Sequence, residues 1–124
     1  MSEQRTVLVV DDEVGSQESL RAILQPEYQV LIATDGEQAL HLVAQRRVDV
    51  VLLDLRMPGL SGMQVLEKIK AIDPSIVVII ITAYASEETV REGDRLQVFA
   101  IITKPFSVSH LREAVRRAVA HRSP

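Results

Sequence analysis

Five polar side chains in this sequence sit where apolar runs end. Asp11 and Asp12 follow Val7-Leu8-Val9-Val10, Asp54 follows the run Val48 to Leu53, Thr82 follows Ile76 to Ile81, and Lys104 with Pro105 follows Phe99 to Ile102. If the runs are parallel strands, these groups converge on one edge of a sheet. Carboxylates brought that close repel one another by several kcal/mol per pair at an effective dielectric of ~20. Such a cluster needs a cation or a proton to persist. An all-oxygen donor set suits a hard ion, and a partly hydrated octahedral site built on a few carboxylates suits Mg²⁺ better than a Ca²⁺ cage. A carboxylate can also act as a nucleophile toward phosphorus, giving an acyl phosphate. That reaction depends on positioning and charge neutralisation. Lys104 offers a fixed cation, Thr82 a hydroxyl for the incoming phosphoryl oxygens, and Ala83 leaves room beside it.

The elements that must position these groups are legible as alternating patterns. The apolar runs, with Val30 to Ala33 as a further one, are continuous rather than alternating, as in strands buried on both faces. Between them the period is helical. Val14 to Leu24 aligns Leu20, Ile23 and Leu24. Glu37 to Arg46 turns Ala39, Leu40, Leu42 and Val43 inward. Ser61 to Ile72 aligns Val65, Leu66, Ile69 and Ile72, and Ser107 to His121 aligns Leu111, Val115, Ala118 and Val119. The segment from Glu87 to about Arg95 has a poor apolar stripe, which predicts a short, exposed and mobile helix. Five β-α units with short connections predict an α/β, doubly wound, five-stranded parallel sheet with helices on both faces. Residues 1–124 read as a single domain.

Composition excludes several alternatives. Hydrophobic residues are 47% of the chain but aromatics only 3%, so the core is aliphatic and an aromatic lever has few candidates. The net charge of −3 gives no footprint for direct nucleic-acid binding. The absence of cysteine rules out disulfides and thiolate metal sites. The polar Met1 to Arg5 lacks a signal-peptide layout, and Ile76 to Ile81 is too short to cross a bilayer, so the expectation is a cytoplasmic protein with no membrane partner. His41, His110 and His121 lack ligand spacing and read as solvated helix residues.

Four motifs in this order resemble the receiver domain of two-component response regulators: Val9-Val10-Asp11-Asp12-Glu13, Leu53-Asp54-Leu55-Arg56-Met57-Pro58-Gly59-Leu60-Ser61-Gly62, Thr82-Ala83-Tyr84 and Thr103-Lys104-Pro105-Phe106. The likeness spans essentially the whole chain. It implies a flavodoxin-like sheet of order 2-1-3-4-5. It further implies that Asp54 is the phosphoacceptor, taking the group from a histidine kinase, a histidine phosphotransfer protein or a small phosphodonor. Asp11, Asp12, Asp54 and the backbone carbonyl of Arg56 would hold Mg²⁺. Lys104 would pair with the phosphoryl group, Thr82 would swing toward it, and the Lys104-Pro105 bond is of a kind often cis in the family. The domain would be a switch that catalyses its own phosphorylation and dephosphorylation, altering the surface around helix 4, strand 5 and helix 5. An output domain or effector protein, and a homodimer, are the implied further partners. The chain reads equally as a stand-alone regulator or as the receiver of a longer one.

Two departures from that pattern concern the switch. The position three residues before the lysine, commonly Tyr or Phe, is Ile101. By strand alternation Phe99 shares its face, so Phe99 or Tyr84 is the candidate replacement. Gly93 to Val98 lacks the usual Gly-Ala lead into the strand, which predicts an altered fourth helix and connection. Arg56 and Tyr84, two residues beyond Asp54 and Thr82, flank the path of an attacking water and are expected to slow hydrolysis. Arg112, Arg116, Arg117 and Arg122 against the single acid Glu113 read as a solvated face of the last helix or as a partner surface.

Three functions compete at this point. A phosphorylatable receiver accounts for every motif. An interaction module that keeps the fold but switches poorly would account for Ile101 and the unusual fourth helix, though not for the intact acidic site. A phosphatase with an aspartyl nucleophile would want a second acid two residues after it, where Arg56 stands; Glu13, two residues after Asp11, is the nearest approach to that pattern.

Overall fold

The computed structural model describes residues 4–56 and 59–122. Its elements alternate as β1 (Thr6–Val10), α1 (Val14–Leu24), β2 (Gln29–Ala33), α2 (Gly36–Gln45), β3 (Val50–Asp54), α3 (Gly62–Ile72), β4 (Val77–Thr82), α4 (Glu87–Arg95), β5 (Ala100–Thr103) and α5 (Val108–His121). All four pairings are parallel, and the sheet order is β2-β1-β3-β4-β5. The doubly wound sheet expected from the sequence is the fold observed.

Pleating divides the strand residues between two cores. Val7, Val9, Val50, Leu52, Ile79 and Ile81 face α1 and α5, where Leu20, Leu24, Leu111 and Val115 meet them. Leu8, Val10, Val51, Leu53, Val78 and Ile80 face the other way, onto Ala39 and Val43 of α2 and Val65, Leu66 and Ile69 of α3. The central strands β1, β3 and β4 are therefore apolar on both faces, while the edge strands β2 and β5 are only partly covered. Ile72, aligned with the α3 stripe in sequence, ends that helix exposed instead.

Caps fix where the helices begin. Asp35, Ser61, Ser86 and Ser107 each accept the backbone N–H three residues on, which satisfies an otherwise orphan donor. Ser61 and Gln64 complete a capping box. Close approach explains two glycines. A Cβ on Gly36 would lie 2.4 Å from Val65 Cγ2, and one on Gly62 would lie 2.8 Å from the Leu55 backbone. Gly62 thus lets α3 start directly against the segment that follows Asp54.

The fourth helix has nine residues, of which only Gly93 is buried. It ends in a Schellman arrangement, with Val98 N–H bonded to Gly93 carbonyl at 2.9 Å and Gln97 N–H to Asp94 carbonyl at 3.2 Å. Gln97 occupies the left-handed position at φ 61°, where glycine is usual. Its exposure and short length match the sequence reading.

Two sequence readings need correction here. Phe99 precedes β5 rather than belonging to it, so the alternation rule does not apply. It packs on the α1/α5 side, while Ile101 packs on the side of Leu96 and Val98. Its ring meets His121 with centroids 5.2 Å apart, at the end of the sheet where β4 and β5 begin. It cannot replace an aromatic at Ile101. The other correction is Arg122, which is no solvated residue. Its side chain is nine-tenths buried, with Nε 3.3 Å from Asp49 and Nη2 3.5 Å from Asp73.

Candidate functional site

Parallel pairing brings the expected groups to one edge because each lies at the carboxyl end of its strand. Val10 is level with Leu53, Asp54 with Ile81, and Thr82 with Thr103, which places Asp11, Asp54, Thr82 and Lys104 on adjacent strand ends. Lys104 N–H bonds the Thr82 carbonyl at 2.8 Å, fixing the start of the β5–α5 segment, and the Lys104-Pro105 bond is cis. From there the Lys104 ammonium reaches the half-buried Asp54 and the buried Asp11, 3.2 Å from Asp54 Oδ2 and 3.8 Å from Asp11 Oδ2.

Each carboxylate has its second oxygen anchored. Asp54 Oδ1 accepts from Arg56 N–H at 2.8 Å, and Asp11 Oδ1 accepts from Glu13 N–H at 2.9 Å. Both are short Asx turns that hold the carboxylates in place. Asp11 is 2% exposed, and burial is the main reason its carboxyl is pushed above the ordinary range. The Glu13 amide opposes that shift, the Asp54 charge adds to it, Lys104 opposes it and Asp12 adds again. Asp12 is exposed beside Asp11.

Among the described residues, no three acidic or imidazole side chains already form a ready cage for a metal. The donor chemistry nevertheless fits a hard, hydrated cation. Asp11 and Asp54 share Lys104, Asp12 adjoins Asp11 in the chain, every donor is oxygen, and Asp11 is buried.

Thr82 is 3% exposed, and its hydroxyl is committed to its own turn. It donates to the Tyr84 carbonyl at 3.1 Å and accepts from Tyr84 N–H at 3.3 Å. Any move toward Asp54 must break both bonds. Tyr84 is 69% exposed and Arg56 is exposed as well, so both side chains stand in solvent at the rim. Ile101 is half-buried, and its Cδ1 lies 3.4 Å from where a Cβ on Gly93 would be, so it packs under α4. Met57 and Pro58 lie outside the described residues; Gly59, which follows them, has φ 86°.

Sequence reasoning missed two supporting residues. Gln17 is buried on α1 and donates through Nε2 to the Asp11 carbonyl at 2.7 Å, tying that helix to the acidic turn. Its signal was a polar residue one turn before Leu20 on the inward face. Asp49 sits at the far end of β3, 2% exposed, accepting from Thr6 N–H at 2.9 Å. Arg5, Arg47 and Arg122 lie 3.6, 3.3 and 3.3 Å from its Oδ1. Its signal was an acid inside an apolar run.

Fold and site together define a parallel α/β domain with an acidic pocket and one lysine at its carboxyl edge. Comparison with known proteins agrees. The family described as "Response regulator receiver domain" matches residues 7–116. Sporulation initiation phosphotransferase F of Bacillus subtilis is 38% identical over 112 residues, covering 90% of each chain. The hydrogenase transcriptional regulatory protein HoxA of Cupriavidus necator is 40% identical over 117 residues, 94% of this chain. The chain spans about a quarter of the length of that relative and nearly all of the Bacillus one. Among solved structures, a CheY-like receiver domain protein from Methanospirillum hungatei superposes with a TM-score of 0.93 at 27% identity, covering 97% of both chains. The chain belongs to the response regulator receiver domain family, whose general function is signalling by phosphorylation. Among the described residues, no helix is long and apolar enough to cross a membrane.

Proposed function

We propose that Asp54 is the phosphoacceptor of this receiver. The observation that carries the reading is the Asp54 carboxylate itself. One oxygen is fixed by the Arg56 amide, and the other is 3.2 Å from Lys104 beside the buried Asp11. A phosphoryl group arriving from a phosphohistidine or a small acyl phosphate meets that carboxylate as nucleophile. An Asp54 oxygen forms the new O–P bond as the donor's N–P or O–P bond breaks. Lys104 then moves from neutralising the carboxylate to neutralising the phosphoryl oxygens. Asp11, Asp12, Asp54 and the Arg56 carbonyl would hold Mg²⁺, which when bound offsets the charge of the phosphoryl oxygens. Thr82, released from Tyr84, would donate its hydroxyl to a phosphoryl oxygen.

A histidine kinase or histidine phosphotransfer protein is the natural donor, and an output domain or effector the natural recipient. The same site would return the group to water, making the domain a switch that governs its own phosphorylation rather than an enzyme with a separate substrate. The phosphatase alternative lacks its acid, since the exposed Arg56 occupies that position. Weak coupling between site and output surface is the second reading. It is favoured by the aliphatic Ile101 under α4 and by Phe99 lying at the opposite end of the sheet.

The test is intact-mass spectrometry after incubation with Mg²⁺ and acetyl phosphate. A phosphate-sized gain is expected in the wild type, abolished by EDTA and by Asp54→Asn. Retention of the gain in Asp54→Asn would assign the nucleophile elsewhere.

A further inference from the structure

At the end of the sheet away from Asp54, a cleft of about 610 Å³ opens between the end of α3, the lead into β5 and the last turn of α5. That volume lies within the range of small-molecule sites. Lys70, His121 and Arg122 line it, Gln97 adds a further donor, and Val98 and Phe99 supply apolar wall. Among the described residues, none that lines it is acidic. The acids that hold Arg122, Asp49 and Asp73, are not among them.

The cationic groups have donor capacity left. Lys70 Nζ gives one hydrogen bond, to the Ile76 carbonyl at 2.7 Å, and an ammonium has three donors. Burial pushes the Lys70 ammonium below its ordinary pKa, with Asp73 opposing, so its charge is incompletely offset in the folded chain. Among the described residues, Arg122 Nη1 is buried without a hydrogen-bond partner, and Nε faces Asp49 Oδ1 at 3.3 Å without forming a hydrogen bond. Leaving a charged donor without a hydrogen bond in the interior is costly. The Phe99 ring, tilted against His121, offers an aromatic surface beside these cations. None of the three takes part in the Asp54 site.

We propose that this cleft binds a small organic oxyanion with a planar body, its charged head held by Lys70, His121 and Arg122 and its body laid against Phe99 and Val98. Such a ligand would bridge the end of α3 to the end of α5 and would leave the Asp54 edge open.

The experiment is a titration of the isotopically labelled chain with phenyl phosphate, without Mg²⁺, followed by amide shifts. Saturable shifts are expected at Gln97, Phe99 and His121, with affinity at least tenfold weaker in Lys70→Met/His121→Gln. Because His121 is exposed, His121→Gln alone keeps the fold and is expected to weaken binding about threefold, should the double variant misfold. Phosphorylation by acetyl phosphate should be unchanged in both variants. Shifts confined to the Asp54 and Lys104 segments, non-saturating shifts, or equal affinity in the variants would overturn the proposal.

Discussion

Asp49→Asn tests the ion cluster that anchors the end of β3 opposite Asp54. The amide is nearly isosteric and can still accept the Thr6 N–H, so the change isolates charge. Arg47 and Arg5 are partly in water, with side chains 62% and 31% exposed, and each should contribute between nothing and about 1 kcal/mol. Arg122 is different. Its side chain is nine-tenths buried, and among the described residues loss of the Asp49 charge leaves it only Asp73 at 3.5 Å. Breaking a buried pair by removing one partner costs about 3–5 kcal/mol. The retained Thr6 bond and the Asp73 contact place this case near the low end, at about 3 kcal/mol. For a chain of this length that is a fall in Tm of roughly 10–15 °C. Urea denaturation followed by circular dichroism reads the effect. Asp49→Asn/Arg122→Met should be less destabilised than the sum of the single variants, because the uncompensated charge is gone. A loss below about 1 kcal/mol in Asp49→Asn, or additive losses in the pair, would refute the buried-ion reasoning.

Further expectations follow from other positions. The Asp73 carboxyl is held below its ordinary pKa of 3.8, chiefly by the Ser75 hydroxyl and also by the Ser75 amide and Arg122. Its contribution should therefore be full above about pH 4 and be lost as pH falls through the depressed folded value. The stability gap between wild type and Asp73→Asn should close in acid; a gap that widens below pH 4 would contradict the assignment. Gln97→Gly relieves a left-handed residue at the α4 C-terminus and should raise stability by about 0.5–1 kcal/mol in the same urea assay. If Arg56 and Tyr84 shield the acyl phosphate from water, Arg56→Ala/Tyr84→Ala should shorten its lifetime severalfold in a timed phosphate-release assay. An unchanged lifetime would remove that role.

What the sequence made legible was local. A buried strand announces itself by a continuous aliphatic run, and a polar residue at its end is visible in the same few letters. Hence the sequence alone places Asp11, Asp54, Thr82 and Lys104 on one edge. The helices were legible to within a residue because Ser61 and Ser107 are caps of recognisable type. The rest depends on distant partners or on one-residue offsets. Asp49 is explained only by Arg5, Arg47 and Arg122, which are far apart in the chain. Phe99 was misplaced because β5 begins at Ala100, and the pleat says nothing about the residue before it. The hydroxyl of Thr82 turning into its own loop depends on the backbone path at Tyr84, which no side-chain pattern encodes.

The most direct measurement of the central claim is chemical localisation of the phosphoryl group. The chain is phosphorylated with acetyl phosphate and Mg²⁺, then reduced with borohydride, which converts an aspartyl phosphate to homoserine, and its peptides are sequenced by mass spectrometry. Homoserine at position 54 alone is the expected result. Homoserine at Asp11 or Asp12, or phosphate surviving reduction on a serine or threonine, would contradict the assignment of Asp54.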